Sequence, residues 1–138
     1  MDREELRENL AVEMVRDWEI VPTGNGFMVS TDWVLPNNER IDLYVRTVGD
    51  RDDLYVVTDG GELFNHMFAD GYDLTADDHG RKVMDFIAEN YGAEFAEYQL
   101  VKGANNDDLA KAVRMLLEAV KEASIVLWRR GGMKEASE

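Results

Sequence analysis

Two runs of sequence decide how this chain is read: Ile41-Asp42-Leu43-Tyr44-Val45-Arg46, and, after a charged link, Leu54-Tyr55-Val56-Val57-Thr58-Asp59-Gly60-Gly61-Glu62-Leu63-Phe64-Asn65-His66-Met67-Phe68. In the first, apolar and polar residues alternate, the period of a strand with one buried face. The second begins as another strand and changes period at Asp59, after which Leu63, Phe64, Met67 and Phe68 follow helical spacing. Asp59 and Glu62 have the spacing of a capping box, with Asp in place of Ser or Thr. A sheet therefore precedes Asp59 and helices follow it.

Working outward towards the N-terminus, residues 27–34 and 19–22 read as two more strands, joined through Thr23-Gly24-Asn25-Gly26. That link is expected to supply the positive φ of a tight hairpin. Pro36-Asn37-Asn38 is turn chemistry. A three-residue loop there, with an Asn in the left-handed region, sets Trp33 opposite Ile41 and Val29 opposite Val45, keeping one face apolar. Leu54, Val56 and Thr58 are expected to continue that face. Residues 2–17 are helical, capped by Asp2. Leu6, Leu10, Met14 and Trp18 recur every four residues, with Ala11 and Val15 widening a stripe of the kind an amphipathic helix turns to a core.

Towards the C-terminus, Gly71 ends the first helix. Asp77 or Asp78 starts a second, with Val83, Met84, Ile87 and Tyr91 on one face and Gly92 as its stop. Residues 94–101 read as a fifth strand. Asn105-Asn106-Asp107 opens the longest helix, whose inner face is Leu109, Val113, Leu116, Leu117, Val120, Leu127 and Trp128. The expectation is one α+β domain over residues 1–130, in the order α-β-β-β-β-α-α-β-α. Helices pack on one face of an antiparallel sheet of four to five strands, and residues 131–138 form a disordered tail.

Composition narrows the function. The 138 residues carry 29 Asp and Glu against 15 Lys and Arg, a formal charge of −14, with no cysteine. Direct nucleic-acid binding and anionic membrane surfaces need the opposite balance. Disulfides and thiolate chemistry are excluded. No apolar run reaches membrane-span length, and the acidic start does not read as a signal peptide, so a cytoplasmic protein is expected.

Three stretches resemble a known family: Ser30-Thr31-Asp32-Trp33-Val34-Leu35-Pro36, Ile41-Asp42-Leu43-Tyr44-Val45, and Tyr55-Val56-Val57-Thr58-Asp59-Gly60-Gly61-Glu62-Leu63. The chain resembles the domain of unknown function family 1828, best over residues 28–75. Asp32 stands where that family tends to have Pro, and Gly60 where it tends to have Asp. The resemblance implies a small prokaryotic or mobile-element protein and carries no activity.

Two chemical readings compete. With a six-residue link over 48–53, Thr47 faces Leu54 and Asp42 faces Asp59, so two carboxylates sit about 5 Å apart at Cβ. With Glu62, and His66 nearby, they would suit a metal-dependent hydrolase or nuclease. The simpler reading is that Asp59 caps a helix while Asp42 is solvated on the outer face of the sheet. No Glu-x-Lys follows Asp42, the His66/Asp70 pair joins no metal motif, and no metal or cofactor is expected. The leading expectation rests on charge. Residues 50–79 contain nine acids against Arg51 alone, a balance of −8. Such self-repulsion is relieved by a basic partner. Asp50, Asp52, Asp53, Asp70, Asp73, Asp77 and Asp78 are the expected partner-binding residues of a non-enzymatic regulatory or inhibitory protein, at its sharpest a DNA mimic from a phage or mobile element. A homodimeric structural module is the third reading.

Overall fold

The computed structural model describes residues 1–135. Their elements are α1 (Arg3–Met14), β1 (Glu19–Thr23), β2 (Gly26–Val34), β3 (Arg40–Thr47), β4 (Leu54–Thr58), α2 (Glu62–Ala69), a 3₁₀ turn (Leu74–Ala76), α3 (Asp78–Asn90), β5 (Glu94–Ala96), β6 (Gln99–Asn105) and α4 (Leu109–Arg130). The fold is α+β. The strands form one antiparallel sheet in the order β1-β2-β3-β4-β6-β5.

Six strands stand where four to five were expected, because residues 94–105 are a hairpin and not a single strand. Its two-residue turn is Glu97 and Tyr98, with φ of 53° and 61°. A hairpin turn of this hand favours Gly or Asn, and neither is present to announce it. Aromatic packing holds it instead: the Tyr98 ring lies 4.6 Å from Phe64 and edge-on to Phe95 at 5.9 Å.

The three-residue loop over 36–38 is present, with Asn38 at φ 70°. Leu35 N donates to Glu39 O at 2.8 Å, closing it. Val34 pairs with Arg40 in the expected register, but a bulge shifts the rest, so Val29 pairs with Leu43 and not Val45. Thr31 causes this. Its buried hydroxyl donates to Ile41 O at 2.8 Å and accepts from Trp33 N at 3.1 Å, replacing ladder bonds with side-chain ones.

The β3–β4 register also differs by one residue. Thr47 pairs with Tyr55, not Leu54. A slip of one exchanges the faces, so fully buried Val57 points to the core with Val45, while Val56 and Thr58 lie on the opposite face. The near-continuous apolar run of β4 leaves its period ambiguous.

The core lies between this sheet and α2, α3 and α4, and one buried cluster includes Trp128, Leu116 and Leu117 of α4 with Leu43 and Val57 of the sheet. Residues 131–135 close against the body. Tyr72 lies against Gly131, Met133 packs on the core, and Met133 N donates to Trp128 O. Residues 136–138 of the expected tail lie outside the described residues.

Asp77 ties the helical layer together. It caps α3 through Gly80 N at 3.0 Å, accepts from the Tyr72 hydroxyl at 2.5 Å, and takes both Nε and a terminal nitrogen of Arg130 at 2.6 and 2.8 Å. Arg130, then Tyr72, holds its carboxyl well below the usual carboxylate range. A depressed folded pKa contributes stability that is present above the unfolded value, near 3.9, and lost as pH falls towards the folded one. Asp77→Asn keeps the cap and removes the charge. Its melting temperature is expected to lie below wild type at pH 7, with the gap narrowing steadily below about pH 4; a pH-independent gap in thermal melts would count against this ion pair.

Candidate functional site

The loop Thr58-Asp59-Gly60-Gly61-Glu62 joins the sheet to the helical layer. Gly60 and Gly61 both adopt positive φ, 66° and 80°, and turn the chain sharply into α2. The Tyr44 ring covers Gly60. Asp59, 2% exposed, sits inside the turn. One carboxylate oxygen accepts from Gly61 N at 3.1 Å and Leu100 N at 3.0 Å, and the other from Leu63 N at 3.3 Å. It therefore caps α2 from a distance and pins it to β6. Thr58 Oγ1 donates to Gln99 Oε1 and accepts from Gly60 N, both at 3.0 Å.

The register slip takes Asp42 out of line with Asp59. Even so, Asp42, Asp59, Glu62 and His66 line one recess with Arg40, Leu35 and Val120, because α2 begins where β4 stops pairing with β3. The cavity there is about 10 Å³, at the lower limit for a single water. Glu62 accepts from the Tyr44 hydroxyl at 3.0 Å. Burial, with Asp42 and Asp59 adding repulsion, raises the Glu62 carboxyl despite that bond. Burial first, then Glu62, pushes the Tyr44 hydroxyl up to about 12. Burial pushes Asp59 up against the pull of its three N–H donors. Asp42 Oδ1 is buried with no hydrogen-bond partner among the described residues.

The chemistry open to this recess is narrow. Both oxygens of Asp59 serve the backbone, and Glu62 is bonded to Tyr44. His66 Nδ1 lies 3.3 Å from Asn37 Nδ2 of the β2–β3 loop. Among the described residues no three His, Cys, Asp or Glu side chains are placed to hold a metal ion.

The seven acids expected to bind a partner do not form one face. Asp50, Asp52 and Asp53 lie in the β3–β4 turn, where Asp53 pairs with Arg51 at 2.8 Å. Asp70, Asp73, Asp77 and Asp78 follow α2, in the helical layer. Asp73 bonds Thr75, Asp77 is held by Arg130, and Asp78 pairs with Arg81. Asp70 borders a surface recess with Asn37 and Lys134, at the sheet end opposite Asp50.

The sheet adds two residues that the sequence reading missed. Leu54 pairs with Asn105, so the β3–β4 turn neighbours the β6–α4 loop carrying Asp107 and Asp108. Asn105-Asn106-Asp107 had read only as a helix start. Asn105 Oδ1 accepts from the Asp107 and Asp108 amides, and Asp108 Oδ1 accepts from Asn105 N at 2.7 Å. A second missed feature is a polar recess of about 640 Å³ beside β1–β3 that includes Arg16, Trp18, Asp32 and Arg40. Trp18 Nε1 donates to Asp32 at 2.9 Å, and Arg40 to Thr31 O and Asp17 O at 2.6 and 2.8 Å. Only folding joins residues this far apart in sequence.

Residues 31–122, from β2 into α4, match the family described as domain of unknown function DUF1828. The chain belongs to this family. In this DUF1828 protein, α1 and β1 precede the matched segment. No curated protein matches the chain. Among solved structures, it is similar to a crystal structure of an uncharacterized protein from Methanothermobacter thermautotrophicus, at 14% identity and a TM-score of 0.48, over 96% of this chain and 100% of that one. No helix among the described residues is long and apolar enough to cross a membrane.

Proposed function

We propose that this DUF1828 protein is a non-catalytic binding module of regulatory or inhibitory kind, and that its acidic loop end meets a basic protein surface. One observation carries the reading. The β3–β4 turn and the β6–α4 loop, brought together by the Leu54–Asn105 pairing, present Asp50, Asp52, Asp53, Asp107 and Asp108 against Arg51 alone. Repulsion among five carboxylates in two adjoining loops costs stability, and a basic surface relieves it while speeding encounter. The division of the remaining acids favours a compact basic patch over mimicry of a phosphate row. The hydrolase alternative is weakened by the engagement of Asp59 and Glu62 within the fold.

The test uses the whole protein, immobilised in extract of the organism that encodes it. A matched variant carries Asp50→Asn, Asp52→Asn, Asp53→Asn and Asp107→Asn. Asp108 is spared because it bonds Asn105. A basic protein captured by wild type at about 50 mM salt is expected to be lost at about 500 mM, where screening shortens to roughly 4 Å, and lost with the variant at low salt. Quantitative mass spectrometry reads both. Capture indifferent to salt and to neutralisation refutes a charge-steered partner.

A further inference from the structure

No side chain of α1 is buried. Leu6, Leu10 and Met14 are 50%, 54% and 62% exposed, although their spacing is that of a core-facing stripe. A helix of 12 residues with no packed face is marginal in water. The exposure continues into the sheet. Ile20 pairs with Val29 and Phe27 with Val45, so both lie on the core side, yet they are 64% and 41% exposed. Among the described residues, nine of the fifteen large apolar side chains left exposed lie in the first 27 positions. This concentration points to a missing cover for one end of the molecule, not to scattered surface residues.

The charges beside the stripe say what the cover is. Leu6, Leu10 and Met14 form one i±4 ridge. The adjoining ridge on one side is Arg3, Arg7 and Ala11; on the other it is Glu5, Asn9 and Glu13. In the commonest helix packing, i±4 ridges of both helices interdigitate at about −50° and run parallel to each other. A two-fold axis along those ridges sets the basic ridge of each helix beside the acidic ridge of the other. Reversing the ridge direction would set basic against basic. A helix with both signs, one on each flank, is therefore complementary to itself in one orientation.

We infer that a second copy of this chain covers α1, forming a two-fold dimer. In it Leu6, Leu10 and Met14 interdigitate with their counterparts, and Arg7 of each copy bridges to Glu13 of the other. Glu13 now pairs at 3.3 Å with Arg16 one turn on, an exposed contact that is readily shared. This inference is independent of the acidic loop end.

Sedimentation equilibrium of the full chain at about 0.15 M salt, where screening leaves charge repulsion a reach of about 8 Å, is expected to give twice the 15.7 kDa chain mass. Leu10→Glu, an exposed substitution, is expected to weaken the dimer at least about tenfold by placing charge in an apolar seam. Its urea midpoint, compared as a monomer, should show the fold intact. Arg7→Glu and Glu13→Arg should each weaken the dimer, and the two together should restore it. A wild-type monomer at about 100 µM, an unchanged mass in Leu10→Glu, or failure of the double reversal to recover what each single change lost, would overturn the inference.

Discussion

Gly26→Ala is expected to destabilise the protein by at least about 3 kcal/mol, while Gly24→Ala, two residues earlier, shifts it by less than about 0.5 kcal/mol. A Cβ on Gly26 would stand 1.8 Å from the Val45 carbonyl oxygen and 2.8 Å from its carbon. Both are backbone atoms of β3, which β4 holds in place from the far side, so neither strand can yield without breaking the ladder. Gly24 has open space around it. The Thr23–Gly26 link was expected to need glycine for positive φ, yet neither Gly24, Asn25 nor Gly26 adopts it. Gly26 is required for close approach. Urea unfolding followed by circular dichroism separates the two variants by midpoint. Equal midpoints would show that β2 and β3 do not approach as closely as described. A loss of this size is a large part of the total stability of an ordinary domain.

Asp59→Ala is expected to cost about 3–5 kcal/mol. Three backbone N–H groups, of Gly61, Leu63 and Leu100, would lose a buried acceptor, each worth about 1–3 kcal/mol and not fully additive. Asp59→Asn is expected to cost less, about 1–2 kcal/mol. Its single carbonyl oxygen can still serve Gly61 and Leu100, but its amide meets Leu63 N–H donor to donor. The pair of variants also separates a structural carboxylate from a metal ligand. Millimolar Mg²⁺, Mn²⁺ or Ca²⁺ is expected to leave the wild-type melting temperature unchanged and to leave the loss in Asp59→Ala as it is. A metal-dependent rise in wild type, abolished in Asp42→Asn and in Asp59→Asn, would revive the hydrolase reading in place of the binding module.

Local chemistry and periodicity encode part of this fold in the residue order alone. Alternation through 41–46, the change of period at Asp59, the Asn-containing turn over 36–38, the glycine stop at Gly71 and the inner face of α4 are all short-range signals. Each survives in the structure because side-chain direction follows from backbone period. Asp59 itself was legible as a cap, but not its bond to Leu100, which lies 41 residues away. The remainder depends on contacts between residues far apart in the chain. The β4 register turned on one residue in an apolar run with no clear period. The Glu97–Tyr98 turn lacks glycine and forms because Phe64 and Phe95 pack on Tyr98. The acids that looked like one patch in the chain are divided between opposite ends of the sheet, while Asp107 and Asp108 join Asp50 through strand pairing. The stripe on α1 shows the limit most plainly. A period of 3.6 fixes which residues share a face, but whether the same chain covers that face depends on where the helix lands, and here none of the described residues buries it.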